Sequence, residues 1–216
     1  LFKEENSEGE AASAKGFRPS ASISTLHLGL QSPLSKLGPS SYMNYFAKRC
    51  FQSFAGSLNP DFTLFDSSWV SHSTGRAATA SLVYFDSYSD WQRSLEIGSY
   101  EDRKIQTIEK WLRQLEVVFP GLSRIVDITE LSTPLTIERF TSNPRGAAYG
   151  YDPDSLSLEE SIGRLSRNWI PSEPGLKRVF FASAWSGTHG LTGVSLAGVQ
   201  AVNAVLRSEG LPAIEV

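Results

Sequence analysis

Three glycines spaced three residues apart lie near the carboxyl end of the chain, at Gly187, Gly190 and Gly193. Glycine has no Cβ, so such a segment can adopt positive φ and lie close against a ligand. An apolar run at residues 179–182 predicts a short buried strand before the glycines, and an apolar stripe from Val194 onward predicts a helix after them. The N–H groups of the first helical turn would face whatever lies over the glycine turn, so this unit could bind an anion or a dipole.

The glycine spacing argues against an ordinary nucleotide-binding unit. The pattern is G-x-x-G-x-x-G, whereas dinucleotide-binding folds carry G-x-G-x-x-G. In addition, no acidic residue ends a second strand at the expected distance after the glycines. The sequence therefore leaves the ligand of this unit open.

A serine in the same segment permits a second chemistry. The run Gly193-Val-Ser195-Leu-Ala197 nearly matches the nucleophile elbow G-x-S-x-G, and His189 is close in sequence. The elbow requires its serine at the strand-to-helix turn itself, whereas about ten residues separate the predicted strand from Ser195. A serine hydrolase is therefore an alternative.

The terminal segment resembles the C-terminal flavin-contacting part of the phytoene desaturase, carotenoid isomerase and retinol saturase group, a branch of the amine-oxidase-like FAD enzymes. In that group a strand ends in Ala-Gly-Asp or Ala-Gly-Ala, and a glycine-rich turn, Gly-Val and a helix with Ser-Gly or Ala-Gly follow. The resemblance implies FAD contacts by the residues at the corresponding positions, which are Ala182, Ser183, Ala184, Gly190, Leu191, Thr192, Gly193 and Val194. Ser183 replaces the usual glycine and Ala184 the frequent acidic residue, so a carboxylate contact to the polar chain of the flavin is absent here.

A second segment supports this resemblance: TPLTIERF at residues 133–140, followed by TSNPRGAAYG at residues 141–150. It is similar to the group's TP-x-T-x-ERxT…G-x-x-YG segment, whose final part, at Gly146–Gly150 here, approaches the flavin ring. The resemblance implies substrate contacts by Tyr149, Gly150 and Arg139. From its chemistry alone, Arg139 could neutralise a pyrophosphate or a substrate head group, or could pair with Glu138 or another carboxylate. Weaker similarity upstream, at residues 22–30 and 37–38, extends the resemblance over residues 20–210.

The resemblance implies that the chain is the C-terminal part of an FAD-dependent oxidoreductase. Its substrate would be an apolar polyene such as a carotenoid or retinoid, which is desaturated, saturated or isomerised through the flavin, so no catalytic side chain or metal is required. The dinucleotide-binding domain of the group has no counterpart in this sequence. We therefore expect that domain to be a missing partner, and this chain alone neither to retain FAD nor to be active. The altered Ser183-Ala184 pair leaves a third possibility, a non-catalytic flavoprotein remnant.

Composition and charge restrict the class of partner. The 216 residues carry a net charge of −3 and contain no basic stripe, which argues against nucleic acid. The single cysteine, Cys50, fits a reducing compartment. No apolar run is long enough to span a bilayer and no signal peptide is evident, so we expect a cytoplasmic protein or one peripheral at a membrane, not a secreted one. Because the chain begins at Leu1, we expect it to be a piece of a longer protein.

Apolar periodicity predicts the elements that position these residues. Residues 21–30 and 77–86 alternate as strands, and apolar residues on both faces of the second favour a central position in the sheet. Shorter strands are predicted at residues 64–70 and 125–131, and a short helix at residues 133–140.

The clearest helix is predicted at residues 99–119, with a Ser99–Asp102 capping box. Its apolar stripe comprises Ile105, Ile108, Leu112, Leu115 and Phe119. The sequence therefore predicts an α+β fold: a mixed, largely antiparallel sheet carrying this long helix, plus a terminal strand, glycine turn and helix. We expect a polar lead-in at residues 1–19, a substrate-domain portion at 20–150 and an FAD-contacting segment at 151–216.

Overall fold

The computed structural model describes residues 19–47, 61–70, 78–150, 152, 180, 182–186 and 190–214. The described residues belong to two compact units. The sheet unit is Ser22–Gly146, and the flanking unit comprises the described residues before and after it. Cys50 and His189 lie outside the described residues.

The sheet unit is an α+β fold, as the sequence predicts. Its strands are β1 (Ser22–Leu30), β2 (Met43–Phe46), β3 (Phe62–Asp66), β4 (Ala78–Asp86) and β5 (Val126–Ser132). Its helices are α1 (Tyr88–Glu96), α2 (Tyr100–Val118) and α3 (Pro134–Thr141). The strand order is β2-β3-β4-β1-β5, and every pair is antiparallel, so among the described strands the sheet is antiparallel throughout rather than mixed.

The two longest strands form the middle of the sheet because their alternating side chains supply its apolar core face. Leu26 lies opposite Leu82, and Leu28 lies opposite Ala80. All four side chains are buried. The central position of β4 confirms the prediction from its two-sided apolar pattern.

Helix α2 covers this core, but the predicted stripe was partly wrong. Trp111 is 1% exposed and packs its ring 5.0 Å from that of Phe62 and 4.8 Å from that of Tyr84. Ile105, which was assigned to the stripe, is 54% exposed. The large indole selects the buried face, because aromatic rings bury the most apolar area.

The amino end of α2 also differs from the prediction. The Ser99 side chain caps no helical N–H; its hydroxyl donates to the Ser94 carbonyl instead. The predicted capping box between Ser99 and Asp102 is therefore absent. A short turn after α1 brings the Ser94 carbonyl within reach of Ser99, so the cap oxygen is already engaged.

Helix α1 was not predicted from the sequence. Ser87 is its N-cap, and the serine hydroxyl accepts from the backbone N–H of Asp90 at 3.3 Å. The indole N–H of Trp91 donates to the Asp86 carboxylate at 2.7 Å, which fixes the helix against the end of β4. The guanidinium of Arg103, on α2, lies 4.6 Å from the centre of the Trp91 ring. Helix α1 is therefore held by Trp91 between strand and long helix.

The flanking unit contains helix α4 (Gly190–Ser208), which begins four residues earlier than predicted. Gly190, Leu191, Thr192 and Gly193 are thus helical rather than part of a turn that ends at Gly193. Ala197 and Ala201 are buried, so the helix has a packed face, and it forms although glycine in a helix costs about 1 kcal/mol.

The predicted strand at residues 179–182 is not formed where the structure describes it. Phe180 and Ala182 lie in irregular backbone, and a 3₁₀ turn follows at Ala184–Ser186. No described strand lies in this unit to pair with the segment, and an unpaired strand leaves its backbone groups unsatisfied. Within the described part of the chain, no helix is long and apolar enough to cross a bilayer.

Candidate functional site

A groove on the sheet unit lies between α1, the first residue of α2, and α3. Its volume is about 500 Å³, which is within the range of small-molecule sites. We call it the α1–α3 groove, and its lining residues are Tyr88, Gln92, Leu95, Tyr100, Leu135, Thr136, Glu138, Arg139 and Phe140.

Thr133 positions the α3 wall of this groove. It is the single residue between β5 and α3, is fully buried, and forms a capping box with Thr136. The Thr136 N–H donates to the Thr133 hydroxyl at 3.3 Å, and the Thr133 N–H donates to the Thr136 hydroxyl at 3.2 Å. The Tyr100 hydroxyl lies 2.9 Å from the Thr133 hydroxyl and shares a hydrogen bond with it. Pro134 occupies the first turn of α3, as predicted, because its fixed φ suits a helix start.

Gly146 holds the end of this segment close beneath the start of α3. Its φ is +60°, and a Cβ built on it would lie 2.3 Å from the carbonyl oxygen of Pro134. The Ser22 hydroxyl donates to the carbonyl of the preceding Arg145 at 2.7 Å. Residues 133–146 are therefore anchored at both ends to the sheet unit.

The Glu138 carboxylate is engaged by two internal donors. The Tyr88 hydroxyl donates to it at 2.5 Å, and the Arg145 backbone N–H donates to its second oxygen at 2.8 Å. The hydrogen bond to Glu138 raises the pKa of Tyr88, since ionising the phenol would break it; burial raises it further. Glu138 thus joins α1, α3 and the turn after α3.

Arg139 does not make the ion pair that was one of its two predicted roles. Glu138 has other partners, and Arg139 makes no ion pair or hydrogen bond with any residue that the structure describes. Its guanidinium carbon lies 6.0 Å from the centre of the Phe140 ring. Phe140 is 79% exposed, so a cation and an aromatic ring lie together at the rim of the groove.

Tyr149 and Gly150 belong to the flanking unit, whereas Arg139 belongs to the sheet unit. The Ser20 N–H donates to the Gly150 carbonyl at 2.7 Å, and the Tyr149 N–H donates to the Ser20 hydroxyl at 3.0 Å. These bonds fix the backbone on both sides of Tyr149, whose side chain is 49% exposed. The phenol ring is therefore presented from a rigid backbone.

Gly150 contacts Ala184 directly. The φ of Gly150 is +85°, and a Cβ built on it would lie 2.3 Å from the Ala184 carbonyl oxygen and 2.6 Å from its carbonyl carbon. Only glycine permits both the backbone conformation and this approach. The structure thus brings the end of the Tyr149 segment against the segment Ala182–Ser183–Ala184, which is far away in sequence.

Several described residues near the start of α4 are exposed. Ala182, Thr192 and Val194 are exposed, and the Trp185 N–H donates to the Ser183 hydroxyl at 3.2 Å. The first turn of α4 contains no acidic residue, so no carboxylate opposes an anion at that helix end. These residues can therefore receive a polar or anionic group through main-chain amides, and they offer no carboxylate to it.

Ser195 does not have the geometry of a nucleophile elbow. It is the sixth residue of α4, in its second turn, whereas the elbow places its serine at the strand-to-helix turn. Across the described residues, no cluster of three metal-ligating side chains is found.

The α1 wall of the groove, which carries Gln92 and Leu95, was not predicted from the sequence. A signal was available, because Ser87 and Asp90 form a Ser-x-x-Asp pattern of the kind that begins helices. Trp91 and Leu95 lie four residues apart after it, as expected for one helical face.

Comparison with known proteins adds no family assignment. No family model matches the chain, and no curated protein sequence matches it. The function is therefore argued from the residues and from the resemblance of the two segments.

Proposed function

We propose that the chain forms the substrate-binding part and the closing flavin contact of an FAD-dependent oxidoreductase acting on an apolar polyene. The observation that carries the proposal is the contact of Gly150 with Ala184. The resemblance assigns Tyr149 and Gly150 to the surroundings of the flavin ring, and Ala182, Ser183 and Ala184 to the flavin-binding strand end. These two segments, for which the resemblance implies the same ligand, FAD, are more than thirty residues apart in sequence. They make contact at Gly150, where there is no room for a side chain.

The residues at the start of α4 fit a flavin on chemical grounds. Main-chain amides of Gly190, Leu191 and Thr192 lie in the first helical turn, where α-helices present N–H groups to polar ligands. The small residues Ala182 and Ala184 leave room for a close approach. The absence of a carboxylate in this turn suits an electron-rich or phosphate group.

In this proposal the FAD is bound partly by this chain and partly by a dinucleotide-binding domain. The missing dinucleotide-binding domain would hold most of the FAD, and the flavin would supply the hydride or electron transfer. Tyr149 would contact the substrate with an exposed ring whose backbone is fixed by Ser20. An aromatic face presented rigidly orients an apolar substrate without a charged group.

A matched pair of variants tests the proposal in this chain together with the dinucleotide-binding domain that the proposal requires. Gly193 lies near the start of α4, whereas Gly198 lies in its middle, and a Cβ built on Gly198 meets nothing within 4 Å. Gly193→Val places a branched side chain where the resemblance places the flavin, so we expect a large loss of the visible flavin absorbance. Gly198→Val makes the same chemical change in open space, so we expect the flavin band to be kept.

The other functions give different results in the same experiment. The proposal also requires that an added polyene bleach the flavin band anaerobically; retention of the band without bleaching would indicate a non-catalytic remnant. Absence of a flavin band from the wild type, or equal loss in both variants, contradicts the proposal. Labelling of Ser195 by an activated phosphonate would instead indicate a serine hydrolase.

A further inference from the structure

The polar groups that line the α1–α3 groove are mostly engaged within the protein. The hydroxyls of Tyr88, Tyr100 and Thr136 bond to Glu138, to Thr133 and to the backbone N–H of Thr133. Both Glu138 oxygens are used. Among the lining residues, only Gln92 and Arg139 carry polar head groups that make no hydrogen bond to the described part of the chain.

What remains of the groove lining is apolar. With their hydroxyls engaged, Tyr88 and Tyr100 present ring carbon to the groove. Leu95, Leu135 and Phe140 complete the apolar part, and Leu95 and Phe140 are 58% and 79% exposed. A concavity of this volume is large enough for a small ligand with an apolar body.

The charges around the groove favour an anion. The guanidinium of Arg139 is without a carboxylate partner in the described residues, and that of Arg145 lies 5.8 Å from the centre of the Tyr88 ring. Glu138 is the single acidic residue of the lining, and two internal donors stabilise its charge. Within the lining, the Glu138 carboxylate is therefore engaged, whereas the Arg139 guanidinium has no internal partner among the described residues and can receive an anion.

We propose that the α1–α3 groove binds a monomeric amphipathic carboxylate, whose head accepts hydrogen bonds from Arg139 and Gln92 while its apolar body lies against Tyr88, Leu95 and Phe140. A planar guanidinium binds a carboxylate with two parallel hydrogen bonds, which selects this head group. The site lies within the sheet unit and does not depend on the proposed flavin chemistry.

Titration calorimetry of the chain with decanoate and with decanol, both below the concentrations at which they aggregate, tests the proposal. The two probes share an apolar chain and differ in charge. We expect decanoate to bind in the micromolar to millimolar range and roughly tenfold to hundredfold more tightly than decanol, because a hydrogen bond to a charged group is worth about 1.5–3 kcal/mol.

Variants identify the groove as the site. Arg139→Gln should reduce decanoate affinity roughly tenfold to hundredfold and leave decanol binding unchanged, and Arg139→Lys should restore part of it. Arg93 is the matched control: it lies on α1, is exposed and does not line the groove, and its ion pair within the described residues is a long contact of 3.7 Å with Asp90. Arg93→Gln should leave the affinity for decanoate as in the wild type.

Several outcomes overturn the proposal. These are no binding of decanoate to the wild type, equal affinity for decanoate and decanol, and equal losses in Arg139→Gln and Arg93→Gln. Arg139-dependent binding to phosphatidylglycerol vesicles without binding of free decanoate also overturns it, since the ligand would then be a membrane surface. Because Arg139 is exposed and makes no internal bond to the described residues, its variants are expected to fold normally, which circular dichroism checks.

Discussion

Replacing Gly150 by alanine tests the contact that joins the two flavin-assigned segments. At φ +85° a non-glycine residue pays about 1–2 kcal/mol. The new Cβ would lie 2.3 Å from the Ala184 carbonyl oxygen, so Ala184 must retreat by at least 0.7 Å to reach even 3.0 Å. The obstacle is backbone and cannot rotate away, and overpacking of this kind costs about 1–3 kcal/mol. We expect local destabilisation of about 3 kcal/mol in total.

The amide hydrogen of Ser20 reports this change directly, because it bonds to the Gly150 carbonyl at 2.7 Å. A local loss of about 3 kcal/mol predicts exchange that is about 100-fold faster when the amide exchanges by local opening. Gly198→Ala is the control, since its Cβ enters open space in a helix interior, where alanine is favoured over glycine by about 0.5–1 kcal/mol. Unchanged Ser20 exchange in Gly150→Ala, or equal acceleration in both variants, would refute the reasoning.

Two further predictions concern titratable groups of the sheet unit. Within the described residues the buried hydroxyl of Tyr84 has no hydrogen-bond partner, so Tyr84→Phe should stabilise the fold by about 1 kcal/mol in urea unfolding. Burial, with the nearby charge of Asp86, raises the pKa of Tyr84, so above about pH 10 the wild type should lose about 1.4 kcal/mol per pH unit relative to that variant. Backbone N–H donors of Ser123 and Gly121 lower the pKa of Glu116. The ionised Glu116 therefore stabilises the fold, and this stability is lost as the pH falls below 4.5, the ordinary pKa of a glutamate. Glu116→Gln should therefore flatten the acid side of the stability profile; an unchanged profile for either variant contradicts its assignment.

The sheet unit was largely predictable because its elements have clear periodicity. Alternation fixed β1 and β4, and the Thr133-Pro134 pair fixed the start of α3. Spacing was less informative in α2, because positions 111 and 112 both fit the apolar stripe. The larger side chain, Trp111, is the one that is fully buried. The prediction for β3 was displaced toward the carboxyl end, since it ran from residue 64 to residue 70 and the strand is Phe62–Asp66.

The α1–α3 groove could not be predicted, because it requires a helix that was missed and hydrogen bonds between distant residues. Tyr88 and Glu138 are fifty positions apart in sequence. The sequence alone does not show that they form a hydrogen bond, which makes both polar groups unavailable to a ligand in the groove. The start of α4 was misassigned for a different reason. Glycine at positions 190 and 193 favours a turn locally, and tertiary packing of Ala197 and Ala201 overrides that preference.

The one-residue connection at Thr133 has a mechanical consequence. With no spacer between β5 and α3, and with the connecting side chain buried and bonded to Tyr100, this junction has no slack to act as a hinge. We therefore expect a displacement of α3 to displace β5, which is an edge strand among the described strands. The position of the groove wall that carries Arg139 is therefore coupled to the position of β5.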